Sequence, residues 1–248
     1  MGTGGTRALI VDERGKLIAS ATEEHTPFVS PKIGWAEQSP EDWWRACTIA
    51  MTGALARADL RGDDLACVGF SGQMHGAVML DGNDQVVRPA LIWCDVRTED
   101  QCQELAGRIG AERLIKLTCN SALPNFTLTK FLWVRQEEPE NWKRVRSVML
   151  PKDYVRFRLT GERATDMADA SGTLMLDVAN RRWSKEVLQA AEIDERCCLG
   201  FLSRRTCAGR FRRKVQRQRV SSRGRPSWRE LAIRRPERRA WGLLLLER

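Results

Sequence analysis

The chain has two histidines, and one of them lies in a short polar stretch that suits hydroxyl binding. Residues 71–76 read Ser-Gly-Gln-Met-His-Gly, and they follow an apolar stretch, residues 65–71, that predicts a strand. Ligand sites of α/β proteins lie at the ends of strands. There Gln73 and His75 could hydrogen-bond hydroxyl groups, while the glycines let a ligand approach the backbone. The alternative is a polar loop whose histidine is satisfied within the protein, and the stretch alone leaves both interpretations open.

Two later loops carry carboxylates that could meet a sugar. Residues 93–97 read Trp-Cys-Asp-Val-Arg and follow another predicted strand, so Asp95 and Arg97 could orient each other or bind a polyol. The alternative for this pair is a surface ion pair worth less than ~1 kcal/mol. Residues 165–173 hold two carboxylates and several hydroxyls, which could bind a sugar or could serve to form turns.

The chain opens on a glycine- and threonine-rich stretch, Met-Gly-Thr-Gly-Gly-Thr. Backbone N–H groups and hydroxyls in such a loop suit a phosphate, so Gly2, Thr3 and Thr6 are predicted to form a phosphate-binding loop. A plain glycine-rich start is the alternative. Such a loop normally follows a strand, and the sequence as given begins inside the loop, so we expect that strand to be missing from it.

The spacing of apolar residues places these stretches on an α/β framework. Residues 7–12 and 17–21 predict a hairpin with a glycine in its turn. Ser39, Pro40 and two acidic residues predict the start of a helix that runs to residue 58. Further strands are expected at 77–81, 90–93 and 148–150, and further helices at 99–108, 111–117, 127–137 and from 151 to before Gly161. Strands that alternate with helices predict an α/β fold with a mixed sheet and flanking helices.

The charge of the chain is divided unevenly. Residues 199–248 hold 16 Lys and Arg against 3 Asp and Glu, whereas the whole chain holds 41 and 32 and carries a formal net charge of +9. The residues before this tail are therefore slightly acidic. The tail has few aromatic residues among its arginines for stacking on bases, which argues against nucleic acid as a partner.

Other features of the sequence indicate where in the cell the protein is located. No apolar run is long enough to span a bilayer, and the start lacks a basic region followed by an apolar one, so we expect no membrane segment and no secretory leader. The eight cysteines form no CxxC pair and no Cys/His zinc pattern, so no metal site is predicted. Because they lie mostly in apolar surroundings, they indicate reduced thiols and a cytoplasmic location.

Taken in order, the motifs of the chain resemble those of the FGGY carbohydrate kinases. The resemblance covers residues 1–197. Its most specific part is the string Gln-Met-His-Gly at 73–76, which within this family is typical of the xylulose kinases. The other stretches that carry the resemblance are 2–7, 35–44, 91–97, 126–133, 150–154 and 165–173.

The resemblance implies an actin-like, ribonuclease-H-like domain over residues 1–197 that binds a small-molecule sugar. It implies that Met74 and His75 contact the ketose, and we expect Gln73, Asp95 and Arg97 to be further substrate-binding residues. The family has an acidic residue on a strand just ahead of the position of Met1, and we expect that strand and its carboxylate to be missing here.

The resemblance also implies a second domain that binds ATP with Mg²⁺ and supplies the catalytic Asp. No catalytic residue is therefore expected in this chain, which is expected to be inactive alone. The complete enzyme would transfer the γ-phosphate of ATP to D-xylulose and give D-xylulose 5-phosphate. The resemblance also allows a homodimer of the complete enzyme.

Residues 198–248 are predicted to be a poorly ordered tail that is read in a shifted frame. Codons for residues 227–238, begun one base earlier, permit Val-Val-Ala-Gly-Ala-Gly-Asp-Pro-Ala-Ala-Gly-Ala, which resembles the opening of the family's second domain. The same shift over residues 198–209 permits Leu-Pro-Arg-Val and then Glu-Ser-Pro-Asp-Val-Cys-Gly. Two alternatives to a D-xylulose kinase stay open for the function of the protein. One is a non-catalytic sugar-binding or regulatory module with a basic nucleic-acid-binding arm, and the other is a kinase for another ketose or polyol.

Overall fold

A computed structural model of the protein describes residues 1–202 and 241–247. Its strands, in chain order, are β1 (Gly5–Val11), β2 (Leu17–Glu24), β3 (Glu37–Gln38), β4 (Leu65–Phe70), β5 (Val78–Leu80), β6 (Ala90–Leu91), β7 (Ser147–Met149), β8 (Ala164–Thr165), β9 (Leu176–Asp177), β10 (Arg182–Trp183), β11 (Gly200–Phe201) and β12 (Trp241–Glu247). Its helices are α1 (Pro40–Ala58), α2 (Glu99–Ile109), α3 (Ala111–Thr118), α4 (Thr127–Glu137), α5 (Pro139–Arg144), α6 (Pro151–Thr160), α7 (Met167–Ser171) and α8 (Lys185–Ala190). The predicted hairpin, strands and helices are all found, with bounds that shift by a few residues.

The main sheet has four strands in the order β2-β1-β12-β4. β1 is antiparallel to both β2 and β12, whereas β12 is parallel to β4, so the sheet is mixed as predicted. Helix α1 lies against β1 and β2, with Trp43 and Ala46 fully buried. It begins after Ser39 with Pro40 in its first turn and ends at Ala58, before Asp59, which adopts a left-handed conformation.

The strand β12 comes from the predicted tail. Leu243 and Leu245 are buried in the core while Leu244 is partly exposed on the opposite face, which is the period of two that a strand requires. The expectation of a poorly packed tail therefore does not hold for this stretch, because a short leucine run can fill one face of a sheet. Residues 203–240 lie outside the described residues, so the division of the chain near Cys198 stays a prediction.

The fold also continues a few residues past Cys198. Leu199 is buried, and β11 pairs in parallel with β8. The ring of Phe201 lies 4.6 Å from the ring of Trp183, measured between centroids. These contacts attach the start of the predicted tail to the body of the protein.

Two hydrophobic cores meet at β5. One, here named the sheet core, packs α1 and α6 against the main sheet. The other, the helical core, is formed mainly by α2, α3, α4 and α8. Val78 and Leu80 point into the sheet core, while Ala77 and Met79 belong to the helical core. The loop at residues 71–76 leads directly into this shared strand.

Within the described residues, no helix has the length and apolar character needed to cross a bilayer.

Candidate functional site

The loop after β4 holds His75 in a fixed orientation. His75 has a φ of 62°, in the left-handed region, and its Nδ1 lies 2.9 Å from the carbonyl oxygen of Gly172. Its ring packs nearly perpendicular to the ring of Phe126, at 4.9 Å between centroids. A Cβ on Gly172 would lie 2.4 Å from Cε1 of His75, so the ring occupies the space that the glycine leaves free.

The surroundings of His75 also define its protonation. A carbonyl oxygen can only accept a hydrogen bond, so Nδ1 carries the proton and donates it to Gly172. Burial lowers the pKa of His75 from its ordinary value, which favours the neutral ring at physiological pH. Among the residues that the structure describes, no hydrogen bond reaches Nε2, which is therefore an unprotonated acceptor for a ligand hydroxyl.

The two residues before His75 have different surroundings. Met74 is 46% exposed, although it is large and apolar, and it is available to a ligand. Gln73 is buried: its amide nitrogen lies 3.4 Å from Oε1 of Gln38, and its backbone N–H donates to the carbonyl of Met1. Gln73 therefore supports the loop from behind, and its predicted contact with substrate is not favoured by this arrangement.

Asp95 and Arg97 form a buried ion pair, so the interpretation of these residues as a surface ion pair is wrong. The side chains of Asp95 and Arg97 are 0% and 1% exposed, with a distance of 2.7 Å between Arg97 Nη2 and Asp95 Oδ2. Glu37 lies 2.8 Å from Arg97 Nη1, and the guanidinium lies over the rings of Trp35 and Trp133. Because these partners enclose both residues, the pair holds the loop at 93–97 in place, and direct binding of a polyol is not favoured.

That loop presents Trp93 beside the start of the chain. Trp93 is 46% exposed, and its indole N–H donates to the hydroxyl of Thr3 at 2.8 Å. The exposed apolar surface of Trp93 thus lies next to the glycine-rich start. Trp93 was not singled out from the sequence, although its position at the end of a predicted strand is a signal of the same kind as that of His75.

The predicted phosphate loop is largely satisfied within the protein. Thr6 belongs to β1, is fully buried, and its hydroxyl lies 2.9 Å from Nε2 of His25. The backbone N–H of Gly2 donates to the carbonyl of Gly5. Thr3 lies beside Trp93, as described above. The structure therefore directs Gly2 and Thr6 inward, because a short loop that turns into a strand uses its own polar groups to close.

Lys152 connects the acidic loop at residues 165–173 to the loop at residues 71–76, which carries His75. Its ammonium lies 2.9 Å from Asp169 Oδ2 and 3.3 Å from Asp153 Oδ1, and it also contacts Asp166. Burial lowers the pKa of Lys152, but the three carboxylates outweigh burial and raise it above its ordinary value. A Cβ on Gly72 would lie 3.0 Å from Cβ of Lys152, so this lysine packs under the loop.

These ion pairs decide what the acidic loop can do. Asp166 and Asp169 face a lysine ammonium, which competes with any cation for their oxygens. Within residues 1–202 and 241–247, no group of three or more His, Cys, Asp or Glu side chains is arranged to hold a metal ion. The carboxylates of this loop are therefore better placed to orient Lys152 than to coordinate Mg²⁺.

Lys130 is a second buried lysine that sequence reasoning did not single out. It is fully buried in α4, and its Nζ donates to the carbonyls of Asn125 at 2.6 Å and Pro124 at 3.1 Å. Burial lowers its pKa to about 7. Nζ also lies 3.5 Å from the carbonyl oxygen of Phe126, and these contacts fix the turn that carries Phe126 against His75. The signal in the sequence is a lysine inside the otherwise uncharged run at 126–134.

We expect Lys130→Met to change how stability depends on pH. Between pH 7 and 10.5 the folded protein holds a neutral amine, whereas the unfolded chain, with its ordinary pKa, still binds the proton. The unfolded state then binds more protons, so Lys130 makes the free energy of unfolding rise with pH, by at most ~1.4 kcal/mol per pH unit.

Urea unfolding of both proteins at pH 7 and pH 8.5 measures this effect. The free energy of unfolding of the wild type should increase relative to that of Lys130→Met as the pH rises. Taking the difference between the two proteins cancels the contributions of the cysteines that both share. An equal change in the free energy of unfolding of both proteins between pH 7 and pH 8.5 would show that Lys130 is charged in the folded state.

Four separate stretches thus converge beside the loop at 71–76. His75 contacts Gly172 and Phe126, Lys152 packs beneath Gly72, and Met1 accepts a hydrogen bond from Gln73. The loop therefore presents a half-exposed methionine and a neutral imidazole acceptor, and the half-exposed Trp93 is bonded to Thr3, two residues after Met1. Such a combination of an apolar platform and oriented hydrogen-bonding groups suits a small polyhydroxylated ligand.

Comparison with known proteins identifies relatives of this chain. The family model described as the FGGY family of carbohydrate kinases, N-terminal domain, matches residues 1–218, which extends past the predicted break at Cys198. The xylulose kinase of Lactococcus lactis is 45% identical over 196 residues, and that of Escherichia coli is 43% identical over 193 residues. These matches cover 79% and 78% of this chain, and the chain spans 39% of the length of each relative.

Solved structures agree with the sequence relatives. The crystal structure of a xyloylose kinase from Brucella ovis has a TM-score of 0.79 and 36% sequence identity, and the match covers 86% of this chain and 44% of that one. The predicted actin-like α/β domain with a mixed sheet is therefore confirmed. The family model covers most of the chain, and the same fold recurs in the solved relative, so this chain belongs to the FGGY family of carbohydrate kinases.

Proposed function

We propose that this chain is the sugar-binding part of a kinase that phosphorylates D-xylulose. The observation that carries the proposal is His75, held by Gly172 with Nε2 free to accept a hydrogen bond, next to the exposed Met74. The similarity to xylulose kinases at 43–45% identity supports the choice of sugar. The chain spans 39% of those relatives, so the activity belongs to the complete enzyme.

The proposed roles follow from the geometry. Nε2 of His75 accepts a hydrogen bond from a sugar hydroxyl, and the exposed faces of Met74 and Trp93 pack against the carbon skeleton. Asp95, Arg97 and Gln73 act indirectly, since they hold the two loops that carry these contacts. Thr3 is the member of the predicted phosphate loop that remains beside the site, through its bond with Trp93.

FGGY kinases use ATP, and in the complete enzyme we propose that ATP is bound with Mg²⁺ mainly outside the residues described here. The acidic loop at 165–173 does not suit the metal, because Lys152 already neutralises Asp166 and Asp169. A homodimer of the complete enzyme and a cytoplasmic location stay predictions. Among the described residues the seven cysteines are free, which supports a reducing location.

Sugar binding by the protein tests the proposed function. We expect D-xylulose to bind more tightly than D-ribulose, D-gluconate or glycerol in titrations followed by ligand-detected NMR. His75→Asn should weaken D-xylulose binding roughly 5- to 150-fold, which corresponds to a lost hydrogen bond of about 1–3 kcal/mol. Asparagine is chosen because it tolerates the left-handed backbone at this position better than alanine.

The control is Gly107→Ala, at an exposed helical position where an added Cβ meets no atom within 4 Å. This variant should bind D-xylulose like the wild type. Tighter binding of another polyol would favour the alternative of a kinase with a different substrate. Equal affinity of wild type and His75→Asn would remove His75 from the site.

A further inference from the structure

A small cavity lies at the starts of α4 and α6, next to the acidic loop at residues 165–173. Its walls are mostly apolar, but Thr127 from the first turn of α4, Asp153 from the first turn of α6 and Thr165 from β8 also line it. It leaves about 20 Å³ for the centre of a water-sized sphere. That volume is sufficient for one water molecule.

The cavity adjoins the two residues that hold the ring of His75. Thr127 directly follows Phe126, whose ring packs against the imidazole. Thr173 also lines the cavity, and it directly follows Gly172, whose carbonyl oxygen lies 2.9 Å from Nδ1 of the imidazole. A molecule in the cavity would therefore contact both of the chain segments that orient His75.

Three side chains of the lining have a buried polar atom that no group in the described part of the chain reaches with a hydrogen bond. These atoms are Oγ1 of Thr127, Oδ2 of Asp153 and Oγ1 of Thr165. The three residues are 1%, 1% and 2% exposed, so bulk solvent does not reach them either. The hydroxyl of Thr173, by contrast, donates to the carbonyl oxygen of Ala170 at 2.6 Å. Buried polar groups in folded proteins nearly always have a partner, and a buried group without one is costly.

The charges around Asp153 limit what the cavity can bind. Its other carboxylate oxygen, Oδ1, lies 3.3 Å from Nζ of Lys152 and 4.0 Å from Nε of Arg156. These two cations would repel a further positive ion, and the carboxylate itself would repel an anion. Burial raises the pKa of Asp153 above its ordinary value, although Lys152 and the nearby hydroxyl of Thr165 lower it. The cavity therefore suits a neutral molecule that can donate a hydrogen bond to the carboxylate.

We propose that this cavity binds one water molecule, which bridges Thr127, Asp153 and Thr165. The water accepts a hydrogen bond from each of the two threonine hydroxyls and donates one to Oδ2 of Asp153. All three of the unpartnered atoms are then satisfied, and three hydrogen bonds is the usual number for a buried water. The bridge links α4, α6 and β8 next to the residues that hold His75.

Valine substitutions distinguish a bridging water from hydroxyls that have no partner. Valine has nearly the shape of threonine, with a methyl group in place of the hydroxyl. Removing a buried hydroxyl that lacks a partner should leave the stability equal or higher, whereas removing one that bonds a buried water should lower it. We therefore expect Thr127→Val and Thr165→Val each to lower the equilibrium constant for folding roughly 2- to 10-fold, as measured by urea unfolding.

The double variant tests whether both hydroxyls bond the same water. Once one hydroxyl is removed the water is held less firmly, so the second replacement should cost less than it does alone. The combined loss in the folding constant should then be smaller than the product of the two single losses by at least about twofold.

The matched control is Thr52→Val. Thr52 is exposed in α1, and its hydroxyl donates only to carbonyl oxygens of its own helix, those of Thr48 and Ile49. This replacement should change the folding constant by no more than about twofold. A crystal structure of the wild-type protein that resolves ordered waters should show one water within hydrogen-bonding distance of all three unpartnered atoms.

Several results would overturn the proposal. Valine variants as stable as the wild type, or more stable, would show that the two hydroxyls have no partner. Losses that simply multiply in the double variant would show that the hydroxyls have separate partners, such as a direct bond from Thr165 to Asp153. A well-ordered crystal structure without density in the cavity would show that it is dry. These measurements do not depend on sugar binding, so their failure would leave the proposed function of His75 untouched.

Discussion

Replacing Gly172 by alanine is expected to abolish measurable D-xylulose binding by this protein. The added Cβ would lie 2.4 Å from Cε1 and 2.7 Å from Nδ1 of His75, distances that force the imidazole to leave its place. The ring then loses its bond to the carbonyl of Gly172 and its contact with Phe126. The loss should exceed that of His75→Asn, because the displaced ring also obstructs the site.

Proton NMR checks the cause of this effect independently of binding. The chain has two histidines, so the signals of His75 and His25 are readily assigned. In the wild type, burial keeps the pKa of His75 below its ordinary value, and in Gly172→Ala it should return towards that value while His25 stays unchanged. Gly107→Ala is the matched control and should alter neither the pKa nor the binding. Wild-type affinity in Gly172→Ala would contradict the proposed role of the ring.

The second large effect concerns catalysis. These 248 residues alone are expected to form no ADP from ATP, Mg²⁺ and D-xylulose above a blank without protein. Phosphoryl transfer depends on positioning and on stabilising charge, and the resemblance to the family assigns the catalytic Asp and most of the ATP contacts to a second domain. In the described site, the nearby carboxylates Asp166 and Asp169 are paired with Lys152 and cannot serve freely as a general base.

A coupled assay of ADP formation measures this directly. The full-length Escherichia coli xylulose kinase, a relative named above, serves as the positive control under the same conditions. ADP formation that depends on D-xylulose and rises with the amount of this protein would contradict the prediction. Binding of D-xylulose without turnover would instead agree with a sugar-binding part that acts within a larger enzyme.

The sequence predicted those elements whose ends carry local signals. Helix α1 begins at Pro40 after Ser39, and α6 runs from Pro151 to the residue before Gly161, as expected from proline and glycine preferences at helix ends. The loop that carries His75 could be located because it follows an apolar strand. Such signals lie within a few residues of the feature that they define.

The remaining features depend on partners that are distant in sequence. The burial of the Asp95–Arg97 pair depends on Glu37, Trp35 and Trp133, which surround Arg97. Nothing in the sequence near residues 93–97 reveals these partners, so a buried pair could not be told from a surface ion pair. β12 was missed for a related reason. A run of four leucines in a basic tail has no local sign of the two strands that enclose it, and its burial is decided by the open gap between them.

The meeting of the two hydrophobic cores at β5 has a consequence for local unfolding. Because the sheet core and the helical core lie on opposite faces of the same short strand, each could open without complete loss of the other. His75 precedes this strand, and its ring is held by Gly172 and Phe126, from the acidic loop and from the turn before α4. Opening of the helical core would therefore release the imidazole while the main sheet stays intact. Amide hydrogen exchange near the proposed sugar site would then follow the less stable of the two cores, and a bound sugar should slow exchange in both.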